Sequence, residues 1–341
     1  MNTLNRQYLL AHRPEGPLRE SDFEYREASV PTPGPGEVLT RTLYLSLDPA
    51  NRVWMGPLPT YRPPIGLGEV MAGFTLNEVV ESKDARFRPG DLVECQGGWQ
   101  DYAVLPADAL YKVAPRGPLS HRLSVLGVPG QTAYFGLLEV GRIRAGETVV
   151  VSAAAGAVGS ITGQLAKLHG CRVIGIAGGP EKCHWLTTEL GFDAALDYRA
   201  EDFPQRLAAA CPEGVDLYFD NVGGAVFQAA LFQMKPHGRI VCCGSVSIYD
   251  TDTPPPRLLG VPGLLTLRRL RMEGFIVFDF HDRRKQAEQA LAGWVAEGRL
   301  KVREDIIDGL QNAPRALMGL LHGANIGKRM IRVAPEPSGK P

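Results

Sequence analysis

No stretch of this 341-residue chain approaches the roughly 18 consecutive apolar residues that a membrane span needs. A dominant charge is also missing. Lys and Arg number 37 and so do Asp and Glu, so no overall field draws the chain to nucleic acid or a lipid surface. The basic run Arg268-Arg269-Leu270-Arg271 is short and reads as a solvated loop face. The six cysteines (Cys95, Cys171, Cys183, Cys211, Cys242, Cys243) contain no C-x-x-C pair, which argues against a zinc ribbon or a redox dithiol. Cys242 and Cys243 lie in a strand-like run and read as packing residues. The seven histidines lack ligand spacing, so no metal site is expected. Met1 to Leu10 includes Arg6 and has no apolar core of the kind a secretory signal carries; a cytoplasmic protein is expected.

What remains is an ordinary globular composition, 44% apolar and 22% charged, long enough for two domains with separate cores. Residues up to about 125 read as mainly β, a compact barrel or sandwich of short strands punctuated by Gly and Pro. Val38–Leu47 follows a Pro/Gly-rich lead and stops at Asp48-Pro49; Leu92-Val93 and Trp99–Val104 are further strands. From Val128 the pattern changes to alternating helices and strands. A helix opens at Val128 and ends near Gly141. Strands are expected at Val149–Ser152, Arg172–Ile176, Ala194–Tyr198, Val215–Phe219, Arg239–Cys243 and Phe275–Phe278, with helices between them. Such alternation builds a parallel sheet with helices on both faces, an α/β doubly wound fold that takes ligands at the carboxyl ends of its strands. The segment after Gly244, rich in proline (Pro254-Pro255-Pro256) and leucine, reads as a long loop serving either as an apolar lid or as a partner contact. Pro335–Pro341 is expected to fray.

The first strand runs into Ser152-Ala153-Ala154-Ala155-Gly156-Ala157-Val158-Gly159. Gly156 and Gly159 take the second and third places of a G-x-G-x-x-G fingerprint and Ala154 the first. The middle glycine admits a pyrophosphate, the third allows helix and strand to pack closely, and the helix start supplies N–H donors. An acid that would bind a ribose 2′-hydroxyl is absent after the second strand, which ends Ile176-Ala177-Gly178-Gly179. Lys182 stands instead in the first turn of the next helix. A cation there opposes the helix dipole unless an anion joins it, so NADPH is expected rather than NADH. Tyr198 and Arg199, ending the third strand, are close enough in this topology to help.

The chain resembles the zinc-independent medium-chain dehydrogenase/reductases, in the branch of prostaglandin, alkenal double-bond and curcumin reductases. The resemblance is carried by Leu45–Pro49, Pro129–Leu138, Ala145–Val151, Gly156–Ser160, Glu189–Asp193, Asp220–Gly224, Glu273–Val277 and Asn325–Lys328, in the family's order through nearly the whole chain. It implies a GroES-like β domain, residues 1–127 with a C-terminal return over 306–341, and a Rossmann NADP-binding domain over 128–305. It also implies NADPH-dependent, metal-free reduction of double bonds conjugated to a carbonyl, in a homodimer. By resemblance, Lys182 and Tyr198 hold the 2′-phosphate, Ala157 and Val158 meet the pyrophosphate, Asn221 and Asn325 contact phosphate or ribose, and Thr132 meets the nicotinamide end. Gly178, Cys243, Gly244, Ser245, Phe278 and Gly327 complete the expected cofactor-binding set. Tyr249 matches a tyrosine beside the substrate carbonyl, where a phenol can donate to an enolate oxygen. One departure stands out: where the family often has Asp-Pro-Tyr-Met-Arg, this chain has Asp48-Pro49-Ala50-Asn51-Arg52, so a second pocket-lining tyrosine is missing and the site is larger or wetter. A quinone reductase and a non-catalytic NADPH-binding regulatory protein are the alternatives. Product analysis on an enone separates the first, and cofactor binding without turnover marks the second.

Overall fold

A computed structural model of the protein describes residues 4–114, 117–254 and 257–337. The chain divides into two compact units, Met1–Leu123 with Glu304–Pro341, and Ser124–Arg303.

In the first unit β1 (Leu4–Leu10) pairs antiparallel with β2 (Phe23–Ser29). β3 (Glu37–Ser46), α1 (Ala50–Trp54), β4 (Thr75–Ser82), β5 (Leu92–Cys95), β6 (Tyr102–Pro106) and β7 (Tyr111–Val113) follow. The second unit contributes α2 (Val128–Phe135), β8 (Thr148–Val151), α3 (Ala157–Leu168), β9 (Arg172–Ala177), α4 (Pro180–Thr188) and β10 (Ala194–Asp197). It continues through α5 (Phe203–Ala210), β11 (Val215–Asp220), α6 (Gly224–Gln233), β12 (Met234–Cys242), α7 (Val261–Arg268), β13 (Arg271–Gly274) and α8 (Arg284–Ala296). β14 (Glu304–Asp308), α9 (Ala313–Leu321) and β15 (Lys328–Arg332) return the chain to the first unit.

The first unit's mixed, GroES-like sheet runs β14-β15-β3-β4-β5-β7, with β6 also paired to β3. β3 is covered on both faces, and from Val38 to Ser46 all but Arg41 are buried. The fully buried Trp99 stacks on Phe23 at 5.5 Å in the core beneath. Lys328 is 2% exposed; its Nζ donates to the Leu47 carbonyl at 2.8 Å and to Asp48 Oδ1 at 2.6 Å, tying β15 to the turn that opens α1. Asn51, also buried, accepts the Asp48 amide and donates to the Ala72 carbonyl, and Arg52 donates to the carbonyls of Gly16 and Pro14. The departing Asn51 and the retained Arg52 therefore both brace the fold.

The second unit's sheet is wholly parallel, in the order β10-β9-β8-β11-β12-β13. Counted from β8, this is the 3-2-1-4-5-6 order of a dinucleotide-binding fold, whose crevice opens where the order reverses, between β8 and β11. Thr148, Val149, Val150 and Val151 are all buried, as a central parallel strand requires.

Three expectations need correction. The last strand is Arg271–Gly274 rather than Phe275–Phe278, because β12 ends at Cys242 and offers no ladder partner beyond Gly274. The phenylalanine-rich residues instead enter a 3₁₀ turn, Val277–Arg283, and Phe280 stacks on Phe135 at 4.6 Å. The long segment after Gly244 is not all loop: Pro262 in its first turn starts α7, whose Val261 and Leu264 pack on the parallel-sheet core. Pro255 and Pro256 lie outside the described residues, as do Ser338–Pro341. Glu336 does not fray, since Tyr44 donates to its carboxylate at 2.7 Å.

Asp48→Ala leaves the buried Lys328 ammonium without its carboxylate. A loss of about 3–5 kcal/mol is expected in denaturant unfolding, the usual cost of breaking a buried pair.

Candidate active site

Because all six strands of the second sheet point the same way, the residues that follow each strand collect at one edge. That edge gathers Gly156, Ala157, Val158 and Gly159 after β8, Gly178 and Lys182 after β9, Tyr198 after β10 and Asn221 after β11. Cys243, Gly244, Ser245 and Tyr249 follow β12, and Phe278, 40% exposed, follows β13. Thr132 lies half-buried in α2 of the same unit. Asn325 and Gly327 belong to the first unit, where the Asn325 amide donates to the Gly327 carbonyl at 2.7 Å.

The glycine loop is built for a close ligand. Gly156 is extended at the cap of α3, and the amides of Ala157, Val158 and Gly159 open the helix with no carbonyl behind them inside it. A Cβ on Gly159 would lie 2.4 Å from the Ala153 carbonyl oxygen, so the helix can sit this close only as glycine. The left-handed residue of the turn is Ala153, with φ +46°, one residue before the first fingerprint position. Ala154 donates its amide to Ile176 in the neighbouring strand and is fully buried. An alanine in that conformation costs roughly 1–2 kcal/mol, strain of a kind that collects at ligand sites.

At the next strand a Cβ on Gly178 would meet the Tyr198 ring at 3.0 Å and Arg199 Nε at 3.2 Å, so the bare backbone lets both side chains close over the turn. The Arg199 guanidinium lies 5.7 Å from the Tyr198 ring centre, and its hydrogen bond with Tyr198 raises its pKa. Asp197 is hydrogen-bonded to backbone and also acts on the Arg199 charge. The Gly179 and Arg199 amides hydrogen-bond its carboxylate and lower its pKa, the Gly179 bond most of all. Lys182 is half-buried in the first turn of α4. This cradle, with two cations and a phenol beside a glycine turn, fits a dinucleotide with an added phosphate on its ribose.

Between β8 and β11 lies a polar knot that residue-by-residue reading misses. Asp220, 3% exposed, accepts at Oδ1 from the Tyr218 hydroxyl (2.7 Å), the Ser152 hydroxyl (3.1 Å) and the Val222 and Gly223 amides (3.0 Å each). Asn221 donates its side-chain amide to the Ser152 carbonyl at 2.7 Å and so clamps the two strand ends across the crevice. The only signal for this in the sequence is a serine ending a valine run and an aspartate ending the next strand.

The Asp220 carbonyl accepts the Cys243 and Gly244 amides, which starts the loop leading to Tyr249. The Tyr249 hydroxyl accepts the Ser245 amide at 3.0 Å, which leaves its own proton to donate elsewhere. Burial raises the Tyr249 pKa above the ordinary phenol value, although the Ser245 amide works the other way. The proton therefore stays in place at neutral pH. A cavity of about 670 Å³ opens at the ends of β12 and β13, walled by Gly223, Gly244, Ser245, Ile248, Phe275 and Ile276. Tyr249 is not on its wall but reaches it through Ser245. Burial pushes the thiols of Cys242 and Cys243, which line this cavity, up to about 11 and about 12, so both stay protonated at neutral pH.

Residues 6–113 match a family described as the N-terminal domain of oxidoreductase, and residues 157–293 one described as zinc-binding dehydrogenase. Over 336 residues the chain is 47% identical to the NADPH-dependent curcumin reductase of Escherichia coli (strain K12), covering 97% of each. The chain belongs to the medium-chain dehydrogenase/reductases. Within them its likeness is to the zinc-independent branch: it is 42% identical to prostaglandin reductase 1 of Bos taurus, over 92% of this chain and 94% of that one. The structure of CurA from Vibrio vulnificus in complex with NADPH superposes with a TM-score of 0.93 at 42% identity, over 97% of this chain and 100% of that one. Among the described residues no group of three or more His, Cys, Asp or Glu could hold a metal ion, and no helix is long and apolar enough to cross a membrane.

Gly159→Ala is expected to push α3 off its strand and weaken NADPH binding at least tenfold, read by titrating the cofactor's fluorescence. Unchanged affinity would show that the turn does not hold the pyrophosphate.

Proposed function

We propose that the protein is an NADPH-dependent reductase of α,β-unsaturated ketones or aldehydes. The observation that carries this reading is the end-to-end agreement with NADPH-dependent curcumin reductase, 47% identity over 97% of both chains. NADPH supplies a hydride, which goes to the β-carbon of the enone, and a proton completes the α-carbon. The protein's part is to bind, orient and supply a hydrogen bond.

In this reading the second unit holds the cofactor and carries Tyr249. Ala157 and Val158 receive the pyrophosphate at the start of α3. Lys182, Tyr198 and Arg199 enclose the 2′-phosphate above Gly178. Asn221, Cys243, Gly244, Ser245, Phe278 and Thr132 border the rest of the cofactor. Tyr249 donates its hydrogen bond to the substrate oxygen as negative charge develops there, and it or water protonates the α-carbon. The substrate is a small apolar enone or enal, in keeping with the mostly apolar walls of the cavity.

The same reading includes a homodimer. β13 is the outer strand of the parallel sheet, and Met272, Ile276 and Phe278 on or beside it are exposed. An uncovered edge of this kind is a natural place for a second copy to pair. Six unpaired cysteines suit a reducing compartment such as the cytoplasm.

Lys182→Ala is expected to raise the Kd for NADPH roughly 10- to 150-fold, the range of a lost charge-assisted hydrogen bond, with little change for NADH. An equal loss for both cofactors would remove the 2′-phosphate assignment. Tyr249→Phe is expected to lower kcat on an enone by about 10²–10³-fold. In the parent enzyme the rate should fall only at alkaline pH, above the usual phenol range near 10, as the donor loses its proton. Unaltered turnover in the variant would exclude a chemical role for Tyr249.

A further inference from the structure

The Tyr218 side chain lies beneath the carboxyl edge of the parallel sheet with no exposed surface, and so out of a ligand's reach. Its hydroxyl donates to Asp220 Oδ1 at 2.7 Å, and burial holds its pKa well above the ordinary phenol value, so it is a donor at every working pH. Its ring packs on Phe227, with 6.2 Å between centres. A fixed donor under a buried carboxylate sets the direction in which that carboxylate points. The same oxygen accepts the amides of Val222 and Gly223 at 3.0 Å each, so its position shapes the turn that follows β11.

That turn carries the segment that leads to Tyr249. β11 and β12 pair as far as Asp220 and Cys242, and beyond them the carbonyls of the turn take over. Asp220 accepts the Cys243 amide at 2.8 Å and the Gly244 amide at 3.1 Å, and Asn221 accepts the Val246 amide at 3.3 Å. Val222 accepts from Ser247 twice, the amide at 3.1 Å and the hydroxyl at 2.6 Å. Two residues later the chain folds back. Tyr249 donates its amide to the Val246 carbonyl, and its hydroxyl accepts the Ser245 amide at 3.0 Å. A Cβ on Gly244 would lie 3.3 Å from the Asn221 carbonyl oxygen and 3.5 Å from the Tyr249 hydroxyl, so a single glycine separates the phenol from the turn. All of these residues belong to the second unit.

We propose that Tyr218 is a positioning residue for the reduction: through Asp220 and the turn Asn221–Gly223 it fixes the place of the Tyr249 phenol. This rests on the reading of the protein as an enone reductase with Tyr249 as its hydrogen-bond donor. Donation to a developing charge depends steeply on placement, and a displacement of about 1 Å costs on the order of 10²-fold in rate. A hydroxyl out of contact with substrate and cofactor thereby acts on the chemical step rather than on binding.

The test is a double-mutant cycle of Tyr218→Phe and Tyr249→Phe, with kcat and KM measured on 4-phenyl-3-buten-2-one under NADPH. Phenylalanine at 218 keeps the ring against Phe227, and Asp220 Oδ1 keeps the Ser152 hydroxyl and both turn amides, so the fold survives. Tyr218→Phe is expected to lower kcat about 3- to 10-fold, the range of one lost hydrogen bond, with KM and the Kd for NADPH unchanged. In the Tyr249→Phe background the same substitution is expected to leave kcat as it is. An equal loss in both backgrounds, or no loss in either, overturns the proposal. Hydrogen exchange at the amides of residues 243–249 in the NADP⁺-loaded protein gives a readout independent of turnover. Faster exchange confined to that segment in Tyr218→Phe is the expected result, and unchanged exchange there overturns the proposal. Faster exchange in a protein that does not reduce the enone would sustain the link from Tyr218 to Tyr249 and refute the reductase reading.

Discussion

The buried carboxylate of Asp220 is the group on which the carboxyl edge of the parallel sheet depends. β8 and β11 stay paired up to the Ser152 amide, which donates to the Phe219 carbonyl, and the backbone groups beyond need other partners. Asp220 meets that need from one position. It collects two hydroxyls and two amides on its side chain, and its carbonyl takes two more amides from the start of the loop after β12. Asn221 adds a clamp to Ser152 across the gap. The ends of β8 and β11 are thereby tied together, with the glycine loop following β8 and the Ser245–Tyr249 segment following β12. Burial pushes the Tyr218 phenol well above its ordinary pKa, so that arm of the knot keeps its proton at any working pH.

Two features of this edge follow from its electrostatics. The open amides at the start of α3 are suited to an anion, and Gly178 lets Tyr198 and Arg199 close over the turn that precedes α4. The Asp197 carboxylate accepts the Gly179 and Arg199 amides and is held ionised, with the Arg199 charge beside it. At the far end of the sheet burial acts on a phenol, and Tyr249 keeps its proton as a result. The first unit solves a comparable problem with a cation, burying Lys328 against Asp48 and the Leu47 carbonyl to fix the turn before α1.

Much of this is legible in the sequence, for a physical reason. Parallel strands covered on both faces are written as unbroken apolar runs, so Val149–Val151, Arg172–Ile176 and Val215–Phe219 announce themselves, and their direction places the ligand edge. What escapes is decided by partners rather than by local composition. Phe275–Phe278 has strand-like residues but no strand beside it, because β12 ends at Cys242. α7 hides in a proline- and leucine-rich stretch because its helical state depends on Val261 and Leu264 finding the core. The left-handed turn at Ala153 leaves no mark, since alanine usually avoids that conformation. Tyr249 is placed after β12 by topology, but only the family resemblance distinguishes it from a packing tyrosine.

The central claim is that hydride reaches the β-carbon of a conjugated carbonyl. The direct measurement supplies NADPH deuterated at the nicotinamide C4, on whichever face proves transferable, with 4-phenyl-3-buten-2-one, and locates the label by NMR. A saturated ketone with deuterium on the carbon that was β to the carbonyl, formed at the same rate with a chelator present, is the predicted result. Deuterium on the former carbonyl carbon of an allylic alcohol would contradict it. So would cofactor oxidation that proceeds with a quinone and leaves the enone untouched.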